Sequence, residues 1–268
     1  MMLEENGVRI AAVSYDPPEI LAAFAHKHAI GFPLLSDRNS ETIRKFDIFN
    51  FNMAPDVRSY GVPHPVDYLV APDGTVVKKY FVPNYQHRVT GSAVALREFG
   101  TIDRDVPAVN LESGALAVQI GFSSARAFAG QEVGFFVRFA LQPDWHIYGA
   151  PPPEGYVTTS ITFEGPNLAS QKLELPPPEL LSFPTLGETL PVYSGSFEGI
   201  GTVLLKHPLP DGRLVLPGHL GFQQCSDTVC EPPQVLSFEL ALTLEPFLIS
   251  EREKKLLGNG PRMPDAGT

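Results

Sequence analysis

The sequence predicts two domains, an α/β unit over residues 1–99 and an all-β two-sheet sandwich over 111–247, joined by a linker at 100–110 and followed by a flexible tail at 248–268. Three observations predict this division. Up to residue 99, short β-like runs alternate with helical periods. The stretch GTIDRDVPAVN, residues 100–110, mixes charges, Gly and Pro without periodicity, as inter-domain linkers do. Beyond it the period of two dominates, and the 27 prolines and 23 glycines of the chain become dense enough to mark many turns.

The first run, Gly7 to Tyr15, carries Val8, Ile10, Ala11, Ala12 and Val13 and reads as a buried strand. Asp16 is placed to cap a helix, with Pro17 at its first position and Glu19 as the capping-box acid before Leu21, Phe24 and Ala25. Gly31 to Leu35 forms the next strand. Ser40 then caps a helix with Ile43 and Phe46 on one face, and Val66 to Val70 turns at Asp73-Gly74 into the strand Thr75 to Val82. The order is βαβαββ, closed by a helix around Ser92 to Phe99.

The second half offers seven strands: Ala115–Ser123, Glu132–Leu141, Thr158–Glu164, Gln171–Leu175, Gly201–Lys206, Arg213–Gln223 and Val235–Leu244. Val133, Phe135, Val137, Phe139 and Leu141 share one face because the strand period is two. Seven strands in a segment of this size read as a sandwich of immunoglobulin type.

Composition narrows the function classes. A net charge of −10 without a Lys/Arg cluster argues against nucleic acid and anionic membranes as partners. The apolar run Val133 to Leu141 is broken by Arg138 and falls short of the ~20 residues a membrane span needs. The start MMLEENGVRI is acidic where a secretory signal would be basic, so no signal peptide is expected in this chain.

Chemistry concentrates at the two cysteines, Cys225 and Cys230, in FQQCSDTVCEPP. Their four-residue loop lets the sulfurs meet, and Pro232 and Pro233 stiffen its exit. Three readings stand. A zinc site would need further ligands, for which His219 and His146 are the nearest candidates. A structural disulfide closing so short a loop would contribute only about 2 kcal/mol to a domain able to bury its own core. An exchangeable dithiol/disulfide pair fits two thiols close in sequence on a loop within reach of a partner's thiolate. Asp227 and Glu231 flank the pair, and no Lys or Arg lies between residues 214 and 250, so the neighbourhood raises rather than lowers a thiolate's pKa.

Two resemblances add to this reading. SYDPPEILAAFAHKH, FPLLSD and VPHPVDYLVAPDGTVVKKY resemble the peroxiredoxin-like (AhpC/TSA, redoxin) branch of the thioredoxin fold over about residues 5–99. That resemblance implies a cis proline at Pro65. It also implies a nucleophilic cysteine in a preceding strand and helix; residues 1–224 contain none, so this half is expected to be catalytically silent as written, or to belong to an antioxidant peroxidase whose cysteine segment is missing. DWHIYG, TTSITF, PPPE, GETLPVYSG and above all FQQCSDTVCEPP resemble the N-terminal, periplasmic sandwich domain of the electron carrier DsbD over about residues 108–245.

The second resemblance implies a thiol-disulfide oxidoreductase module without flavin, metal or nucleotide. It would accept electrons from a thioredoxin-like donor and pass them to an oxidised thiol protein in the periplasm or cell envelope. Cys230 would be the sulfur attacked and Cys225 the resolving partner. A cap is implied at Val192 and Tyr193, where Val192 stands in place of an aromatic and Tyr193 is able to shield the pair alone. Trp145, His146 and Tyr148 match an aromatic stretch near the pair, with plain core as the alternative. The other alternative for the whole chain is a non-enzymatic interaction module with a structural disulfide. His26 and His28 read as surface residues.

Overall fold

The computed structural model describes residues 2–52, 54, 60, 62–81, 87–151, 154–183 and 187–246, so the predicted tail at 248–268 lies outside the described residues. The first region runs α1 (Met2–Glu5), β1 (Ala12–Ser14), α2 (Pro18–Lys27), β2 (Leu34–Ser36), α3 (Glu41–Lys45), β3 (Val66–Val70), β4 (Val76–Phe81), β5 (Arg88–Val89) and α4 (Gly91–Phe99). β1 and β2 pair in parallel, and β3 and β4 pair antiparallel across the Asp73-Gly74 turn, as two separate sheets. β1 is shorter than the predicted Gly7–Tyr15 because only Ala12–Ser14 finds a partner, in Leu34–Ser36.

Both predicted helix starts are corrected. Pro17 is the N-cap of α2 and not its first residue, at φ −61° and ψ 151°. The following Pro18 excludes Pro17 from helical ψ by steric clash. Asp16 therefore lies outside the helix, where its carboxylate accepts the Ser14 hydroxyl at 2.5 Å. At α3, Ser40 is left-handed (φ 55°) and its hydroxyl caps nothing. Asp37 caps instead, accepting the amides of Thr42 at 3.1 Å and Ile43 at 2.8 Å.

The cis bond expected before Pro65 is not present; among the described residues, cis bonds precede Pro151 and Pro208. The His64 amide donates to the Ile48 carbonyl at 2.7 Å, and the chain runs on into β3. An extended entry of this kind suits the trans isomer, which X-Pro bonds favour by ~0.5–1 kcal/mol.

The second region contains β6 (Ala108–Ser113), β7 (Leu116–Phe122), β8 (Arg126–Ala127), β9 (Gln131–Leu141), β10 (Trp145–Tyr148), β11 (Ser160–Phe163), β12 (Leu168–Glu174), β13 (Glu179–Phe183), β14 (Glu188–Ser194), β15 (Ser196–Leu205), β16 (Gly212–Phe222), β17 (Gln224–Ser226) and β18 (Gln234–Leu244). β6 begins inside the segment read as linker, since Ala108 pairs with Gly121 of β7. One sheet has the order β12-β15-β9-β7-β6 and another the order β11-β16-β18-β8. Val133, Phe135, Val137, Phe139 and Leu141 of β9 enter one core with Leu216, Leu220 and Phe222 of β16 and Leu240 and Leu242 of β18. Alternation in the strands thus builds the sandwich directly.

A third sheet, β13-β14-β10-β17, carries the cysteines. The two regions also share packing. β5 adds to β9 in parallel, the Arg97 guanidinium lies 3.6 Å from the Glu132 carboxylate, and α4 covers β9 at Gly134, where a Cβ would lie 3.1 Å from the Ala93 Cα. α4 is well bounded: the Thr90 hydroxyl accepts the Ala93 amide, and Gly100 ends the helix in the left-handed conformation.

Candidate active site

β17 and the residues after it form a narrow hairpin whose two sides are joined by the Cys225–Cys230 disulfide, with Cα atoms 4.1 Å apart. The Ser226 amide donates to the Val229 carbonyl at 2.7 Å, and the Glu231 amide to the Gln224 carbonyl at 3.0 Å. Within the turn, the Ser226 hydroxyl accepts the amides of Thr228 and Val229. Local backbone pairing therefore sets the sulfurs face to face.

The glutamines before Cys225 tie the hairpin to the sandwich. Gln224 is wholly buried; its Oε1 accepts the Ala115 amide at 3.2 Å and its Nε2 donates to Glu231 Oε2 at 2.7 Å. Gln223 Oε1 accepts the Val157 amide at 3.1 Å and its Nε2 donates to the Glu231 carbonyl at 3.2 Å. Gly114 makes room for Gln224, because a Cβ there would clash with its side-chain amide, and Gly114 also holds a left-handed φ of 57°.

Register sorts the candidate residues by face. His146 lies opposite Cys225 and Tyr148 lies opposite Val192, so His146, Tyr148, Val192 and Cys225 share one side of the sheet. Ile147 lies opposite both Tyr193 and Gln224 on the other side, which faces the main core. Tyr193 therefore does not shield the cysteines: its hydroxyl donates to the Pro176 carbonyl at 2.8 Å and its ring stacks on Phe197 at 4.5 Å. Trp145 sits two residues before Ile147 and packs against the same core. Val192, the non-aromatic member of the expected cap, packs with Tyr148, Leu190 and Cys225.

The aromatic cover comes from Phe183, outside the residues that the sequence marks for the site. Phe183 pairs with Glu188, six residues along β14 from Ser194, the register partner of His146. In a flat sheet that separation is roughly 20 Å. The Phe183 and His146 rings lie 5.1 Å apart, so the β13–β14 hairpin curls back over the site. Tyr156 packs on Tyr148 at 4.7 Å, and its hydroxyl donates to Glu188 at 2.9 Å.

The two sulfurs have different surroundings. Cys225 is 1% exposed, whereas Cys230 is exposed. A disulfide sulfur has no proton to give, so the Tyr148 hydroxyl is the donor in its 3.5 Å contact with Cys230 Sγ. Burial, reinforced by Tyr156 and Glu188, pushes the Tyr148 phenol up to about 12. Burial lowers the His146 pKa, and the carboxylate of Asp227 opposes this in part. His219, the other histidine considered for a metal, is engaged by the Ser237 hydroxyl at 3.2 Å and the Glu164 carboxylate at 3.5 Å.

Two known families match separate stretches of the chain. Residues 2–79 match the AhpC/TSA family, and residues 118–242 match the family described as "Thiol:disulfide interchange protein DsbD, N-terminal". The peroxiredoxin Bcp of Escherichia coli (strain K12) is 30% identical over 74 residues, which is 28% of this chain and 47% of that protein. The chain thus spans about half the length of the curated relatives it matches.

Among solved structures, the N-terminal periplasmic domain of ScsB from Proteus mirabilis is 20% identical, covering 51% of this chain and 50% of that chain with a TM-score of 0.39. The Neisseria meningitidis DsbD N-terminal domain in the reduced form is 18% identical, covering 42% and 82% with a TM-score of 0.26. The chain carries a redoxin-like region matching the AhpC/TSA family, followed by a β-rich domain matching the DsbD N-terminal thiol:disulfide interchange family.

Proposed function

We propose that the protein is a thiol-disulfide exchange module that relays electron pairs through Cys225 and Cys230 in the periplasm or cell envelope. The observation that carries this reading is the asymmetry of the pair, one sulfur exposed at a hairpin turn and the other buried behind it. Exchange proceeds by thiolate attack on one sulfur of a disulfide, and accessibility selects which sulfur is attacked.

A thioredoxin-like donor's thiolate attacks Cys230 Sγ, the Cys225–Cys230 bond breaks, and its electron pair leaves on Cys225. The donor's second thiolate then attacks its own sulfur in the mixed disulfide, releasing Cys230 as thiolate. The donor is oxidised and the pair is reduced. In the second half, Cys230 attacks the disulfide of an oxidised acceptor protein, and Cys225 attacks Cys230, which restores the pair and releases the reduced acceptor. Tyr148 supports Cys230 in both halves, since its hydroxyl is placed to bond the thiolate more strongly than the disulfide sulfur. Val192, Leu190 and the Phe183 hairpin keep bulk thiols from Cys225. Residues 1–224 hold no cysteine, so within this chain the redoxin-like region supplies no thiolate for peroxide reduction.

The test uses the oxidised full chain and reduced thioredoxin as donor, with thiols counted by alkylation and mass. Cys225→Ser, reduced and mixed with oxidised glutathione, accumulates one glutathione on Cys230 and cannot release it. Turnover is lost in both Cys225→Ser and Cys230→Ser while the β-sheet circular dichroism is kept. Transfer of electrons by either single variant, or no reduction of the wild type by thioredoxin, contradicts the relay.

A further inference from the structure

We infer that His146 is the proton partner of Cys225, taking the thiol proton when Cys225 attacks and returning it when Cys225 leaves. This rests on the relay proposed above and concerns the buried sulfur alone.

Three observations carry it. His146 and Cys225 are directly opposed across β10 and β17, which places their Cβ atoms on one face about 4.5–5.5 Å apart. His146 is 3% exposed, and its Nε2 has no hydrogen-bond partner among the described residues. A buried, unpaired ring nitrogen carries a desolvation cost that a plain core position would avoid. Finally, Cys225 lies at 1% exposure among Tyr148, Leu190 and Val192, where a thiolate is withdrawn from solvent.

The other titratable groups facing the niche do not fill this role. Tyr148, on the same strand, holds its own proton up to about 12 and bonds Cys230. Tyr156 is held up by its hydrogen bond to Glu188, and that same bond occupies the Glu188 carboxylate. Asp227, in the hairpin turn, is exposed, and its charge favours an imidazolium at His146. Among the described residues, Ser194 and Phe183 also face His146 and do not titrate in this range.

With a partner's sulfur bound to Cys230, the Cys225 thiol passes its proton to the neutral imidazole, and its sulfur attacks Cys230 Sγ. The Cys225–Cys230 bond forms, and the bond from Cys230 to the partner breaks with its electron pair on the partner's thiolate. In the reverse direction the imidazolium protonates Cys225 as it departs. The imidazolium otherwise passes its proton on to solvent.

The test is rapid mixing of the reduced full chain with excess oxidised glutathione from pH 5.5 to 9, with quenched samples read by mass. Addition at Cys230 scales with glutathione concentration; release of glutathione by Cys225 does not. His146→Phe keeps an apolar ring in the niche and His146→Gln keeps a polar group. Both variants are expected to slow only the concentration-independent phase, by about ten-fold or more at pH 7, and to make it rise about ten-fold per pH unit below pH 8. The wild type levels off at lower pH. A concentration-independent phase with wild-type rate and pH profile in either variant overturns the inference. Failure of the wild type to form the Cys230 adduct would instead sink the relay itself.

Discussion

In the sandwich, Val133, Val137 and Ile147 are completely buried, whereas in the redoxin-like region Val13 and Leu35 remain 44% and 51% exposed although each stands in a strand. The difference lies in what each strand meets. β9 is bonded on both sides and faces a second sheet, while among the described residues β1 and β2 bond only each other. Alternating side chains become a core only when another layer covers them. The sandwich supplies its own layers, and the redoxin-like region draws part of its cover from α4, which is itself seated on β9.

The two regions should differ most in the cost of losing one aromatic side chain. Phe135→Ala, deep in the sandwich core and in edge contact with Phe163 at 5.0 Å, is expected to cost about 3–5 kcal/mol in urea unfolding followed at the sandwich. Phe24→Ala, half exposed on α2, is expected to cost about 0.5 kcal/mol. Equal costs would show that the redoxin-like region is held by a core of its own. The seam between the regions gives the next effect. Gly134→Leu forces a side chain into α4, costing about 1–3 kcal/mol. It is expected to increase proteolysis within residues 1–99 and to leave Cys225–Cys230 exchange unchanged.

The smallest effect is the acid response of His146. Burial lowers its pKa in the folded state, so the unfolded chain binds more protons there. Its stability contribution is complete above the unfolded imidazole value of about 6.5 and declines as pH falls through the lowered folded value. The urea midpoint of the wild type should therefore drop more than that of His146→Phe between pH 7.5 and 5. Parallel curves would show that His146 titrates alike in both states.

Most of the sandwich was legible because its strands are long and strictly alternating: all seven predicted runs coincide with strands, among them β7, β9, β16 and β18. The sheet that holds the cysteines was not read as strands. β10 and β17 have four and three residues, β14 contains Pro191, and β13 is mostly exposed, so none shows a sustained period of two. The FQQCSDTVCEPP motif still located the pair. Which neighbours face it depends on register, and the shift of one residue between Val192 and Tyr193 reverses the side. Phe183 reaches the site only through the curl of its hairpin, a tertiary feature with no local signal. Gln223, Gln224 and Glu231 could have been noticed as polar residues crowding a short loop, since buried polar groups need partners.

A pair that exchanges and a pair that merely braces the fold differ in reduction potential. Equilibrating the full chain with glutathione redox buffers and with thioredoxin measures the Cys225–Cys230 potential directly. A relay predicts a potential between about −300 and −120 mV and rapid equilibration with thioredoxin. A potential far below about −300 mV, with no exchange, would contradict it and assign the disulfide to structure.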